Sequence, residues 1–318
     1  MSSEKLNIIF MGTPDFAVPS LSALIKGPDT VCAVVTKPDR PKGRGQKLVP
    51  PPVKVVAEEN GIPVLQPDKI KTAEFANTLK SYAPDVIVVA AYGRILPPAL
   101  LELPPHGCIN VHGSLLPRHR GAAPIQWAII NGDQQVGVTI MQMSAGMDTG
   151  AIRRSMCIPA DPGQAAGSLF PKSARRGSDA LMDTLDMLME GGLAFIPQDD
   201  KLATMAPMLS KTDGMIDWNR PAEELDCLIR GLDPWPSAHC SAGGKKLQLF
   251  DPEVFYVDSN QPPGTVIRAD RQGLLVSTAK ASLLIREVKP EGKRRMPVEA
   301  FLNGYKLVAG DRLVQGKR

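Results

Sequence analysis

The first third of the chain alternates short apolar runs with longer segments of helical periodicity, and few architectures accommodate that order. Residues 6–11, 31–36, 62–65 and 85–91 are rich in β-branched side chains and read as strands. Residues 15–26, 53–60 and 72–82 read as the helices between them, with glycine stops at Lys26-Gly27 and Asn60-Gly61. The strands are apolar on both faces, as in a parallel sheet covered on both sides. The expected fold class is therefore α/β, a Rossmann-like doubly wound, mostly parallel sheet. Ligands of such sheets sit beyond the strand C-termini. Gly12-Thr13-Pro14-Asp15 and Tyr92-Gly93-Arg94 are thus expected around one crevice.

A dinucleotide is not the expected ligand. The first strand is followed by G-T-P-D-F and not by G-x-G-x-x-G, and Gly43-Arg44-Gly45 is not at a strand–helix junction. Further strands are expected at 109–112 and 136–143, and a helix at 180–190 that ends at Gly191-Gly192. The texture then changes. Short strand candidates at 246–250, 264–267, 274–278 and 282–288 follow one helix near 222–232, separated by Gly, Pro and Asp clusters. That is the pattern of a small β-barrel. The expected division is a catalytic domain over 1–192, a proline-containing linker over 193–209 and a barrel domain over 210–318.

With 318 residues, 43% of them hydrophobic, the chain can bury full cores without staples. Five cysteines, widely spaced and never in C-x-x-C, read as free thiols and not as a disulfide set or zinc site. No stretch approaches the ~18 apolar residues of a membrane span, and the N-terminal apolar run is too short for a signal peptide. A cytoplasmic monomer without a metal is the expectation. The net charge of +4 is unevenly spread. Residues 36–54 hold six basic residues against one acidic, and residues 286–318 hold nine against four. Two such patches suit a polyanionic partner, although each also reads as a solvated surface segment.

The chemistry is concentrated in Gly107-Cys108-Ile109-Asn110-Val111-His112-Gly113-Ser114-Leu115-Leu116-Pro117-Arg118. Residues two apart on a strand share a face, so Asn110 and His112 project together while Ile109 and Val111 face the opposite way. A polar pair at the end of an apolar strand is costly unless it has partners or a task. A second strand enters Ser144-Ala145-Gly146-Met147-Asp148-Thr149-Gly150, a loop with one carboxylate between two glycines. Asn, His and Asp together suit acyl transfer to an amine. An amide N–H and an imidazolium N–H can both donate to a developing oxyanion, and a carboxylate can support the histidine and relay a proton. Each residue also has a structural reading: a satisfied strand-end histidine, a turn-capping Asn110, an Asx-turn at Asp148. Ser114 lacks the G-x-S-x-G elbow of a serine hydrolase. His106, His112 and His119 match no zinc spacing.

G-C-I-N-V-H-G-S-L-L-P-R, with R-G-A-A-P-I-Q-W and G-V-T-I-M-Q-M…G-M-D-T-G, resembles the folate-dependent formyltransferases. The resemblance runs nearly end to end, through I-I-F-M-G-T-P-D-F-A-V, K-P-D-R-P-K-G-R-G, A-P-M-L-S-K-T-D-G-M-I-D-W, D-P-W-P and the closing G-D-R-L. It implies a C-terminal barrel resembling an OB fold, 10-formyltetrahydrofolate as donor and, from the loop near residue 40, methionyl initiator tRNA as acceptor. It assigns Asn110, His112 and Asp148 to catalysis. Ser114, Leu115, Leu116, Pro117, Val89, Ala90, Tyr92 and Gly93 are assigned to the folate pocket, and Arg40, Lys42, Arg44 and Lys47 to tRNA.

One segment departs from the family pattern. Ser168-Leu169-Phe170-Pro171-Lys172-Ser173-Ala174-Arg175-Arg176-Gly177 places a proline where a helix is usual. A helix that starts later, or altered local packing, is expected there. Two other functions remain open on the sequence. One is formyl transfer to a small amine such as a nucleotide-linked amino sugar. The other is a catalytically silent RNA-binding module.

Overall fold

The structure, a computed structural model, describes residues 5–42, 47–191, 194–257 and 259–316. Two compact units divide the chain. The described residues of Met1–Pro124, Gly137–Ile158 and Phe170–Pro207 form the first; Ile125–Val136, Pro159–Leu169 and Met208–Arg318 contribute the second.

The main sheet has seven strands in the order Ile152–Pro159, Gln135–Gln142, Cys108–His112, Val86–Ala90, Asn7–Gly12, Thr30–Val35 and Val64–Leu65. Asn7–Gly12 pairs in parallel with both Thr30–Val35 and Val86–Ala90, and Val86–Ala90 in parallel with Cys108–His112. Gln135–Gln142 runs antiparallel to Cys108–His112. The expected doubly wound, mostly parallel sheet is present. Its chain direction reverses beside Asn7–Gly12, the switch point at which such sheets open a crevice.

Alternation along each strand divides the core into two layers. Ile8, Phe10, Val86, Val88, Ile109 and Val111 pack with Leu21, Leu24, Leu181 and Leu185 on one face. Ile9, Met11, Ile87, Val89 and Cys108 pack with Phe75, Leu79 and Leu100 on the other. Each fully buried side chain of this size contributes roughly 1.5–3 kcal/mol relative to exposure. Asn110 and His112 follow the parity of Cys108. They therefore emerge where the second layer runs out at the C-terminal end of the strand.

The helix expected at 180–190 is longer. It spans Ala166–Met189 with Pro171 inside it, so it begins earlier than the proline suggested. The buried positions explain why. Ala166, Leu169, Ser173, Ala174, Gly177, Ser178, Leu181 and Leu185 recur at helical spacing, while Pro171 is exposed. A proline inside a helix costs ~3 kcal/mol or more, and burial along this continuous face offsets it. Small residues take the place of apolar ones because the helix lies close to the sheet. A Cβ added to Gly177 would approach Val111 Cγ1 to 2.6 Å.

In the second unit, helix Ala222–Gly231 precedes an antiparallel sheet ordered Val266–Asp270, Gly273–Ser277, Ser282–Pro290, Lys245–Phe255, His239–Ala242 and Leu313–Val314. The sheet curls until its two ends meet. Thr265 bridges Arg312, and the amides of Val266 and Leu313 donate to the carbonyls of Asp311 and Gly264, both at 2.8 Å. Joining the ends removes the unpaired edges. Leu247, Leu249, Leu274, Val276, Leu283, Ile285 and Phe301 fill the interior.

Candidate active site

Asn110 and His112 are 9% and 5% exposed at the end of Cys108–His112. Asp148 meets His112 from the loop after Gln135–Gln142, with φ at +51°. Its Oδ2 lies 3.7 Å from His112 Nδ1 and accepts the Gly121 amide at 2.9 Å. The other imidazole nitrogen, Nε2, is 3.0 Å from the His119 carbonyl oxygen. Both ring nitrogens thus face oxygens. The His119 carbonyl fixes the ring, and Nδ1 is the nitrogen turned toward the carboxylate. At 3.7 Å the pair has ion-pair separation and exceeds a direct hydrogen bond.

The 114–117 turn is held from within. Ser114 Oγ donates to the Arg118 carbonyl at 2.7 Å, so this hydroxyl is spent on the turn. Thr139 Oγ1 donates to the Ser114 carbonyl at 2.7 Å and accepts the Leu116 amide at 3.1 Å. Leu115 packs over Gly137, where a Cβ would collide with it. The Leu116-Pro117 peptide is cis. Val89 and Ala90 are buried at the end of Val86–Ala90. The Tyr92 ring packs in the second core layer, so the backbone of this residue is what borders the crevice. The Tyr92 carbonyl accepts Thr13 Oγ1 at 3.4 Å. Gly93, at φ +73°, lies against Lys37, whose Nζ would be 2.5 Å from a Cβ there. The Lys37 ammonium is pushed below the usual lysine range, by burial first and then by the charges of Arg40 and Arg94.

The basic segment is a two-stranded antiparallel ribbon, Arg40–Lys42 with Lys47–Val49. Arg40 and Lys47 are exposed. Arg44 lies outside the described residues, as does the Lys42 side chain. Lys54 is not part of an open cationic surface. Its Nζ bonds both Asp39 oxygens at 3.0 Å and Gln66 Oε1 at 2.9 Å. Gln66 first, and then Lys54, hold the Asp39 carboxyl below the usual carboxylate range.

Several residues at the site carry no local signature in the sequence. Residues 195–206, part of the 193–209 segment that reads as a linker, lie beside Asp148 and the 119–121 stretch. Met205–Ala206 pairs in parallel with Arg120–Gly121, and Thr204 Oγ1 accepts the His119 amide at 2.8 Å. Gln198 and Arg120 bond each other there. These partners are distant in sequence and leave no periodicity behind. The short R-G and P-Q-D-D motifs were the available hints. Among the described residues, no group of three or more His, Cys, Asp or Glu could hold a metal ion. No helix of the described residues is long and apolar enough to cross a membrane.

A doubly wound sheet with a polar trio at its C-terminal edge, followed by a curled antiparallel module, is an α/β fold with an added β domain. One family model, described as formyl transferase, matches residues 5–185, and another, described as formyl transferase C-terminal domain, matches residues 208–306. The chain belongs to the formyltransferase family. It is 61% identical over 309 residues to a methionyl-tRNA formyltransferase of Desulfotalea psychrophila, across 97% of this chain and 96% of the relative. To the methionyl-tRNA formyltransferase of Geobacter sulfurreducens it is 49% identical over 308 residues, across 97% and 96%.

Solved structures share the fold at low identity. An N-formyltransferase from Helicobacter canadensis in complex with folinic acid and dTDP-3-aminofucose aligns with a TM-score of 0.67 at 18% identity, across 88% of this chain and 98% of that one. HypX from Aquifex aeolicus in complex with tetrahydrofolic acid aligns at 0.60 and 17% identity, across 95% of this chain and 47% of that one. The chain thus spans about half the length of HypX.

Proposed function

We propose that the enzyme transfers a formyl group from 10-formyltetrahydrofolate to the amino group of methionyl initiator tRNA. The observation that carries this is the pairing of His112 with Asp148, beside Asn110 on the same strand face, in a chain similar over 97% of its length to a protein named for that reaction. The methionyl amine attacks the formyl carbon while neutral. Asn110 donates to the oxygen as negative charge develops on it, and so does His112 through Nδ1, since Nε2 is engaged by the His119 carbonyl and 3.7 Å separates Nδ1 from Asp148. Such donors are worth most there. Asp148 supports His112 and takes part in moving the proton that the amine loses. The nitrogen–formyl bond of the donor then breaks and its amine recovers a proton. No covalent enzyme intermediate is required.

The 114–117 turn and the backbone of Val89, Ala90, Tyr92 and Gly93 are proposed to line the folate pocket. Arg40 and Lys47 on the ribbon, with Lys42 and Arg44, are proposed to meet tRNA phosphates, and the barrel module to add to that grip. A small-amine acceptor would use neither element.

The test is formyl transfer from 10-formyltetrahydrofolate to charged initiator tRNA, with uncharged tRNA and a nucleotide-linked amino sugar as controls. Product only on the charged tRNA is expected. His112→Ala should lower kcat by about 10²–10³. Activity on the amino sugar alone, or a folded His112→Ala enzyme at the wild-type rate, would overturn the reading.

A further inference from the structure

The Gln198 side chain has one acceptor and two N–H donors, and partners engage all three. Its Nε2 donates to the Asp148 carbonyl at 2.8 Å and to the Gly150 carbonyl at 2.7 Å. Its Oε1 accepts Arg120 Nε at 3.0 Å and Arg120 Nη2 at 2.8 Å. Arg120 is 6% exposed and also bonds Asp200 Oδ1 at 2.7 Å. The next residue, Gly121, gives its amide to the Asp148 carboxylate, and the preceding one, His119, gives its carbonyl to His112.

The bonds form a closed circuit. From the Asp148 carboxylate it passes through the Gly121 amide and the Arg120 guanidinium to Gln198, and returns to the Asp148 backbone. Asp148 needs such support. Its positive φ is a conformation that non-glycine residues hold only when their surroundings over-determine it. The carboxylate is also too far from His112 for a hydrogen bond with that ring to set its position. We infer that Gln198, through Arg120 and the Asp148 backbone, is a positioning residue for the catalytic carboxylate. This rests on the reading of Asp148 above.

The chemistry of the site selects an amide. A carboxylate at 198 would keep Arg120 but turn oxygen toward two carbonyl oxygens. An alanine would release both sides at once. Neither change touches the folate turn or the basic ribbon, so the fault should lie in the rate and not in binding.

The experiment is a double-mutant cycle on the full chain, assayed with radiolabelled formyl donor and charged tRNA. Gln198→Glu and Gln198→Ala should each lower kcat by about 10–100-fold, the scale of a small misplacement of a reacting group. KM for the folate and for tRNA should change less than about twofold, since each pocket is intact. In an Asp148→Ala background the same substitutions should lower the residual rate no further, because the residue they position is gone. Full additivity with Asp148→Ala, or a wild-type kcat for both Gln198 variants, overturns the inference. If Gln198→Ala also loses folate binding, the isosteric Gln198→Glu decides. Wild-type enzyme inactive on charged tRNA would sink the functional reading instead, and that control is run first.

Discussion

Gly177 of the long helix lies against Val111, on the strand that carries Asn110 and His112. Gly177→Ala sets two effects against each other. Alanine gains about 0.8–1 kcal/mol of helix propensity over glycine. Its methyl, 2.6 Å from Val111 Cγ1, must push a side chain that is 2% exposed and packed on all sides. Overpacking of this kind costs roughly 1–3 kcal/mol, so the clash should win. The variant is expected to lose stability in urea denaturation and to lose rate through the displaced strand. A more stable Gly177→Ala enzyme would show that the helix can retreat freely.

The two glycines that bracket Asp148 should differ in tolerance. A Cβ at Gly150 would run into the Gln142 carbonyl oxygen, which belongs to the sheet and cannot move aside. A Cβ at Gly146 would meet Thr149 Oγ1, the end of a side chain on the loop itself. Gly150→Ala is therefore expected to reduce kcat by about 10² or more through displacement of Asp148, and Gly146→Ala much less. Steady-state rates of the two variants, compared at equal folded fraction, decide the order.

Cysteine reactivity follows burial. The Cys108 and Cys240 thiols are both pushed up to about 12 by desolvation, whereas Cys157 is exposed. Since the thiolate is the nucleophile, iodoacetamide at neutral pH should label Cys157 first and Cys108 only on unfolding. Peptide mass spectrometry after timed labelling reads this directly. The sign for stability follows from linkage. Folding is favoured by these neutral thiols below the unfolded thiol pKa of about 8.5, and that contribution is lost as pH rises toward 12. Cys108→Ala should keep formyl transfer, because the thiol donates to the Leu100 carbonyl and not into the crevice.

What the chain discloses by itself depends on how local the cause is. The parallel strands are legible because burial on both faces leaves unbroken apolar runs such as Val86–Ala90. Asn110 and His112 are legible because they interrupt such a run with the same parity. The start of the long helix is not, since Ser173, Ala174, Gly177 and Ser178 bury a close-packed face without apolar bulk. The Arg40–Lys42 ribbon is too short and too polar to alternate. Gln198 is harder still: its bonds to Arg120 span 78 positions, and no periodicity records a pairing of that kind.

The basic segment around the ribbon offers a prediction about charge in which its cationic residues behave unequally. Arg40 and Lys47 are exposed, so each can neutralise a phosphate and release counterions. Replacing either with alanine should weaken tRNA binding and reduce the slope of log K against log salt by about 0.7–0.9. Lys54→Ala should leave that slope unchanged, because its ammonium is already engaged by Asp39 and Gln66. Lys37 adds a pH term. Burial and the nearby charges of Arg40 and Arg94 lower its pKa, so it loses its charge before an ordinary lysine as pH rises. Any contribution it makes to tRNA affinity should fade below the usual lysine value of about 10.4. Arg40→Ala removes one of those charges and should shift the fade to higher pH. Binding isotherms across salt and pH separate the cases. Equal slopes for Arg40→Ala, Lys47→Ala and the wild type would remove the ribbon from the tRNA interface.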